Sequence, residues 1–221
     1  MATFLDTFFH GFDHTILQGV HAFSVATGGS LTWLMRMITA LGDGGIGFLL
    51  FGLVLLLFRR TRKVGLVVLV AIAIGGIVTN LTLKPLVARV RPYEQEPFRT
   101  WWQYVGATLE SERSFPSGHA TVSFAAMGAL FFSCRKKYSW TALLLAALVA
   151  FTRLYLMVHY PTDVIAGTLV GLAASLGAFG LTSLLYRALE KRQTHPVSHF
   201  LLYADLPTLV RRLFSRKQSH T

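Results

Sequence analysis

The sequence predicts an all-α, polytopic membrane helical bundle of five to six transmembrane helices, with amphipathic helices at its N- and C-terminal ends. Three observations predict it. Of the 221 residues, 53% are hydrophobic and only 14% charged, where soluble domains carry about a quarter charged residues. Apolar runs recur at 43–58, 64–83, 117–134, 138–157 and 162–186, most of them near the roughly 20 residues that cross a bilayer. Fourteen of the 21 lysines and arginines collect at 59–63, 135–137, 187–192 and 211–217, in alternate loops and the tail.

In chain order, residues 4–41 come first. Phe4, Phe8, Phe12, Ile16, Val20 and Phe23 recur every three or four positions among His10, Asp13, His14, Gln18 and His21. That is an amphipathic helical stripe, either a sixth span buried against neighbours or two helices lying in the interface; the interfacial reading is favoured for part of it. No basic start, continuous apolar core and cleavage site mark a signal peptide, so targeting falls to the first hydrophobic helix. Leu41-Gly42-Asp43-Gly44-Gly45 reads as a turn before the first span, with Asp43 a turn residue rather than a catalytic acid. Between the second and third runs, residues 85–116 carry Trp101, Trp102 and Tyr104 among Glu94, Glu96, Arg99 and Arg113. This is expected as a surface loop or lateral helix with its tryptophans in the headgroup layer. After the last run, 188–221 is a basic tail, and Leu201 to Phe214 read as a short amphipathic helix with Asp205 and Pro207 early and Arg211 and Arg212 late. Nothing marks a second domain, so 1–221 is expected as one membrane-embedded domain with its core over about 43–187.

The charge excludes some classes and fixes a topology. A net charge of +11 without a basic groove or stripe does not indicate nucleic acid. The positive-inside rule places the basic loops and tail in the cytoplasm. Counting crossings from there puts 84–119 and 153–163 together on the outer face. A compact bacterial protein of the cytoplasmic (inner) membrane, with its site facing the periplasm or outside, is the expectation. Cys134 is the single cysteine, so no intramolecular disulfide or cysteine-based metal site can form. His10, His14, His21, His195, His199 and His220 lack acidic or cysteine partners at ligand spacing, and no metal or other cofactor is expected. Oligomeric state has no signature in the sequence.

Three clusters at ends of apolar runs carry chemistry. Lys84, Arg91 and Arg153 supply cations that suit phosphate oxygens, arginine as a bidentate fork and lysine as a point charge. Pro116-Ser117-Gly118-His119 opens an apolar run; a helix start offers N–H groups to an anion, Gly118 allows close approach, and Ser117 caps the helix or binds phosphate or does both. His119 has the chemistry of a general acid. His159 and Asp163 stand four apart, so one helical turn is expected to bring them together and let the carboxylate fix the imidazole tautomer of a nucleophile; Asp163 could instead cap the helix or pair with Arg153.

Taken together, Lys-x6-Arg-Pro at 84–92, Pro-Ser-Gly-His at 116–119 and Thr-Arg-x5-His-x3-Asp at 152–163 resemble the three-part signature of the type 2 phosphatidic acid phosphatase superfamily. These are integral membrane lipid phosphatases that share a catalytic core with vanadium haloperoxidases. The resemblance implies that Lys84, Arg91, Ser117, Gly118 and Arg153 bind the substrate phosphate. It implies that His119 protonates the leaving group, that His159 forms a phosphohistidine and that Asp163 orients His159, without metal. Thr152 departs from the serine usual there, and its hydroxyl keeps the hydrogen-bonding capacity. The expected activity is removal of a terminal phosphate from a membrane lipid in the bilayer, undecaprenyl diphosphate or phosphatidylglycerol phosphate before phosphatidate. The alternatives are lipid-to-lipid phosphotransfer, or a non-catalytic phospholipid binder or transporter.

Overall fold

Each apolar run folds as a helix. A computed structural model describes residues 1–203 and 205. Its helices are α1 (Ala2–Phe8), α2 (His10–Ala26), α3 (Thr32–Thr39), α4 (Ile46–Leu56), α5 (Arg62–Gly76), α6 (Lys84–Val87), α7 (Phe98–Val105), α8 (Gly118–Ser133), α9 (Lys136–Tyr155), α10 (Pro161–Lys191) and α11 (Pro196–Tyr203). Among the described residues there is no strand.

Four helical stretches are long and apolar enough to cross a bilayer: Thr32–Leu56, Arg62–Glu94, Lys136–Tyr155 and Pro161–Lys191. The shorter apolar α8, of 16 residues, is surrounded by α5, α9 and α10. Its inner positions are small: Ala120, Ala125, Ala126 and Ala129 are fully buried. Outward, Leu50, Leu81, Leu144, Leu169, Leu181 and Leu184 are all more than half exposed, an apolar girdle of the kind a bilayer covers. The chain is an integral membrane helical protein.

One expectation is corrected at the N-terminal end. The first span starts at Thr32 rather than 43, because Asp43-Gly44-Gly45 kinks the helix instead of ending it. A 3-10 stretch (Ala40–Gly45) joins α3 to α4, and Gly44 (φ 56°) and Gly45 (φ 72°) take the left-handed conformations the kink needs. The amphipathic stripe is present in α1 and α2, with its phenylalanine side away from the bundle. Phe4, Phe8, Phe12 and Phe23 are exposed, while Asp13, Leu17 and Ser24 of α2 are buried where it packs on α9 and α10. The polar side of α2 thus turns toward the bundle.

Residues 85–116 do form a lateral helix, α7, followed by a loop. Trp101 and Trp102 are half-buried, and Trp101 stacks on His21 of α2 with ring centroids 5.0 Å apart. They bind two elements of the protein together, a contact absent from the headgroup expectation. At the other end of the bundle, Arg59 lies over the Tyr203 ring at 4.7 Å and Lys63 over Tyr186 at 5.5 Å, so the first basic loop meets the end of α10 and α11. The amphipathic helix expected over 201–214 overlaps the end of α11 and otherwise lies outside the described residues, Asp205 excepted.

The α8–α10 seam determines how the site is assembled. A Cβ on Gly167 would fall 2.5 Å from the Ser117 carbonyl oxygen, and one on Gly171 2.5 Å from that of Thr121. Membrane helices approach this closely only through small residues. The approach brings the start of α8 against the first turns of α10, and the Ser117 N–H donates to the Asp163 carbonyl at 3.0 Å. The second and third clusters are therefore joined through backbone.

Candidate active site

The three clusters meet at one cleft of about 400 Å³. Lys84, Arg91, Gly118, His119 and His159 line it. Ser117, Arg153 and Asp163, the other expected site residues, stand behind this lining, each almost completely buried.

Lys84 opens α6, where a π-helical stretch (Ile77–Leu83) ends. Arg91 is extended (φ −82°, ψ 155°) ahead of Pro92, and its buried guanidinium is held on several sides. Its Nε donates to the Glu112 carbonyl at 2.8 Å, and Nη1 donates to the Val158 carbonyl at 2.9 Å and faces His159 Nε2 at 3.3 Å. A guanidinium can only donate, so His159 Nε2 is the unprotonated nitrogen and Nδ1 carries the hydrogen.

On the far side of that ring, Ser114 Oγ is 3.4 Å from Nδ1 and donates to Asp163 Oδ2 at 2.5 Å. Asp163 Oδ2 itself lies 3.6 Å from Nδ1, beyond a hydrogen bond. His159 and Asp163, expected as a pair, lie side by side with the Ser114 hydroxyl as the link between them. A helical turn does not bring the two together. His159 precedes α10, and Asp163 caps the helix by accepting the Tyr160 N–H at 2.9 Å. Asp163 thus caps the helix while lying behind the His159 ring, and the cation on it is Arg89 at 2.8 Å, not Arg153. Burial, reinforced by the Arg91 and Arg153 cations, holds the His159 imidazole well below its ordinary proton affinity. It is neutral at neutral pH, with its Nε2 lone pair facing the cations.

His119 Nε2 is 2.8 Å from Asp43 Oδ1. Asp43 belongs to the kink, as expected, and it also partners the acid candidate, which the sequence reading missed. Gly42 has no room for a side chain, since a Cβ there would come within 2.6 Å of the His119 ring. Gly118 is different: its Cβ would meet only Lys84 Nζ, at 3.7 Å, so that position opens on the cation. Ser117 Oγ accepts from the Ala120 N–H at 3.4 Å and serves as the cap. The N–H groups of Gly118 and His119, in the first turn, have no intrahelical acceptor. Thr152 Oγ1 donates back to the Val149 carbonyl at 2.6 Å, so the hydroxyl at this position is engaged within its own helix rather than in the cleft.

Two carboxylates absent from the sequence reading sit on the cations. Glu110 bridges Arg91 Nη2, at 2.8 Å, and Arg153; Glu112 contacts Lys84. The Lys84 ammonium holds the Glu112 carboxyl below its usual range. Arg153 Nη1 also donates to Thr39 Oγ1 at 2.7 Å. Glu110 and Glu112 occupy the cations with carboxylate oxygens, so a phosphate bound by the same cations would have to displace them. The paired substitution Glu110→Gln with Glu112→Gln is expected to lower the concentration of inorganic phosphate needed for half-inhibition about tenfold, the ratio that 1.4 kcal/mol produces. An unchanged inhibition constant would show that the carboxylates do not compete.

The sequence model of the PAP2 superfamily matches residues 64–187. The chain is 38% identical over 134 residues to the bacitracin transport permease protein BcrC of Bacillus licheniformis, covering 60% of this chain and 64% of the relative. It is 38% identical over 120 residues to an undecaprenyl-diphosphatase of Sulfolobus acidocaldarius, covering 53% and 54%. The match thus spans between about half and just under two thirds of these relatives. Among solved structures, a transmembrane PAP2-type phosphatidylglycerolphosphate phosphatase from Bacillus subtilis aligns with TM-score 0.54 at 25% identity, over 76% of this chain and 87% of that one.

Proposed function

The chain belongs to the PAP2 superfamily, and on that premise we propose that it is a membrane lipid phosphatase in which His159 attacks the phosphorus of a lipid phosphate or diphosphate. The observation that carries this reading is the placement of His159, with Nε2 facing Arg91 at 3.3 Å and Nδ1 backed by Ser114 at 3.4 Å. A pocket that only held a phosphate would need the cations and no imidazole oriented in this way.

The reaction follows as two displacements. The Nε2 lone pair forms a bond to phosphorus while the bond to the lipid oxygen breaks; its electron pair leaves with that oxygen, which takes a proton from His119. Water then attacks the phosphohistidine, giving a proton to His119, and the N–P electron pair returns to Nε2 as phosphate departs. Lys84, Arg91 and Arg153 neutralise the equatorial oxygens, assisted by the N–H groups of Gly118 and His119. Ser117 contributes by capping the helix that presents those groups, and Asp163 with Ser114 keeps the proton on Nδ1. Undecaprenyl diphosphate and phosphatidylglycerol phosphate are the preferred substrates, in line with what two of the similar proteins are named for. Alkyl length is discriminated weakly, because an apolar groove distinguishes little per methylene.

The positive-inside rule supports a cytoplasmic position for the basic loops at the opposite end of the bundle, and with it a cleft that opens outward. One assay tests activity and sidedness together: phosphate release from short-chain, membrane-impermeant analogues of prenyl diphosphate, phosphatidylglycerol phosphate and phosphatidate, added to intact cells and to detergent-purified protein. Release by both, inhibited by vanadate, is expected. Release only after permeabilisation would reverse the orientation, and no release from any analogue by the purified protein would reject the phosphatase.

A further inference from the structure

We infer that Arg89, clamped by Asp6 and Asp13 of the N-terminal helices, is a positioning residue that holds Asp163 behind the nucleophile, so that α1 and α2 are part of the active site. The inference rests on the phosphatase reading and adds to it a residue outside the three clusters.

Arg89 is among the most deeply buried side chains, 1% exposed. Nη1 donates to Asp163 Oδ1 at 2.8 Å and to Thr162 Oγ1 at 2.7 Å; Nη2 donates to Asp13 Oδ2 at 2.8 Å and Nε to Asp6 Oδ1 at 2.7 Å. The guanidinium also lies 3.9 Å over the Tyr160 ring. Asp13 reaches the same turn of α10 independently, since its Oδ1 accepts the Thr162 N–H at 3.0 Å and its Oδ2 the Thr162 hydroxyl at 2.8 Å.

One cation therefore ties three carboxylates from three helices. Each link in the sequence toward phosphorus is on hand: α1 and α2 fix Arg89, Arg89 fixes Asp163 Oδ1, and Asp163 Oδ2 receives the Ser114 hydroxyl that backs His159 Nδ1. A fully buried carboxylate without its cation would be strongly disfavoured, and Asp163 would turn or take up a proton, releasing Ser114 and the His159 ring. Arg89 does not line the cleft, so its loss acts on the chemical step and not on phosphate capture. The catalytic core expected over 43–187 thus extends to residue 6.

The test compares Arg89→Ala, Arg89→Lys and Asp13→Asn with wild type and His159→Ala in the purified full-length protein. Arg89→Ala is expected to lower kcat about 10 to 100-fold, the scale of loss when a reacting group is misplaced by a change away from the chemistry, with KM within about twofold. Arg89→Lys, which keeps the charge and loses the fork, should recover part of kcat. Asp13→Asn should lower kcat less than Arg89→Ala, again at constant KM. An unchanged kcat in folded Arg89→Ala, or a rise confined to KM, overturns the inference. Where Arg89→Ala does not fold, wild-type kcat in both Arg89→Lys and Asp13→Asn overturns it. Active wild type beside inactive His159→Ala keeps the phosphatase reading standing whichever way Arg89 falls, whereas an inactive wild type removes that reading itself.

Discussion

Replacing His159 by alanine lowers phosphate release by about 10⁴-fold or more, as deleting a nucleophile does elsewhere, while the protein remains folded. The size of the effect follows from what is left. Lys84, Arg91 and Arg153, the cations proposed to hold the phosphate, survive the change, but the imidazole nitrogen that faces Arg91 at 3.3 Å is gone. His119, the second imidazole, has its Nε2 paired with Asp43. KM should change far less than kcat. The pH dependence has a definite sign. Burial depresses the proton affinity of His159 below that of a free histidine, about 6.5, so the imidazole stays neutral as pH falls through that value. Loss of rate by protonation of His159 therefore begins below about pH 6.5. The same depression gives a contribution to folding stability that is complete above the unfolded value and lost as pH falls through the folded one. Residual turnover near wild type in the folded variant would reject His159 as nucleophile.

Arg91→Lys is expected to cost about 10² to 10³-fold in kcat/KM, the range for losing one preorganised donor at a reacting oxyanion. The charge survives the substitution, so the loss isolates geometry. The guanidinium simultaneously engages Glu110, the Glu112 and Val158 carbonyls and His159 Nε2. An ammonium cannot span that set. Buried acceptors left empty cost roughly 1 to 3 kcal/mol each, so a lower melting temperature should accompany the loss of rate. Wild-type kcat/KM in Arg91→Lys would mean that the residue only supplies charge.

The span count and the convergence of the clusters were legible because both rest on local patterns: runs of about 20 apolar residues and short motifs at their ends. What escaped the sequence is long-range. Arg89 lies inside the first motif, but its partners Asp6 and Asp13 are 83 and 76 positions away, and Asp43 is 76 from His119. Glu110 and Glu112 look like the solvated charges of any loop until the loop folds over the cations. Periodicity found the stripe on α2 but could not orient it, because in a bilayer the phenylalanine side faces out and the aspartate side faces in. The four-residue spacing of His159 and Asp163 suggested a helical turn, whereas the contact is made by a helix cap and a serine. Ser114 precedes the second motif by two residues, with nothing in its type or spacing to single it out.

The central claim is a covalent phosphohistidine at position 159, and trapping it is the most direct measurement. The purified protein is mixed with a lipid diphosphate labelled at its terminal phosphate, quenched in alkali, which preserves the N–P bond, and digested for mass spectrometric mapping. The predicted result is a phosphorylated peptide carrying the label on His159, acid-labile and absent from His159→Ala. Label on any other residue, or sustained turnover with no labelled peptide at any time point, would contradict the account.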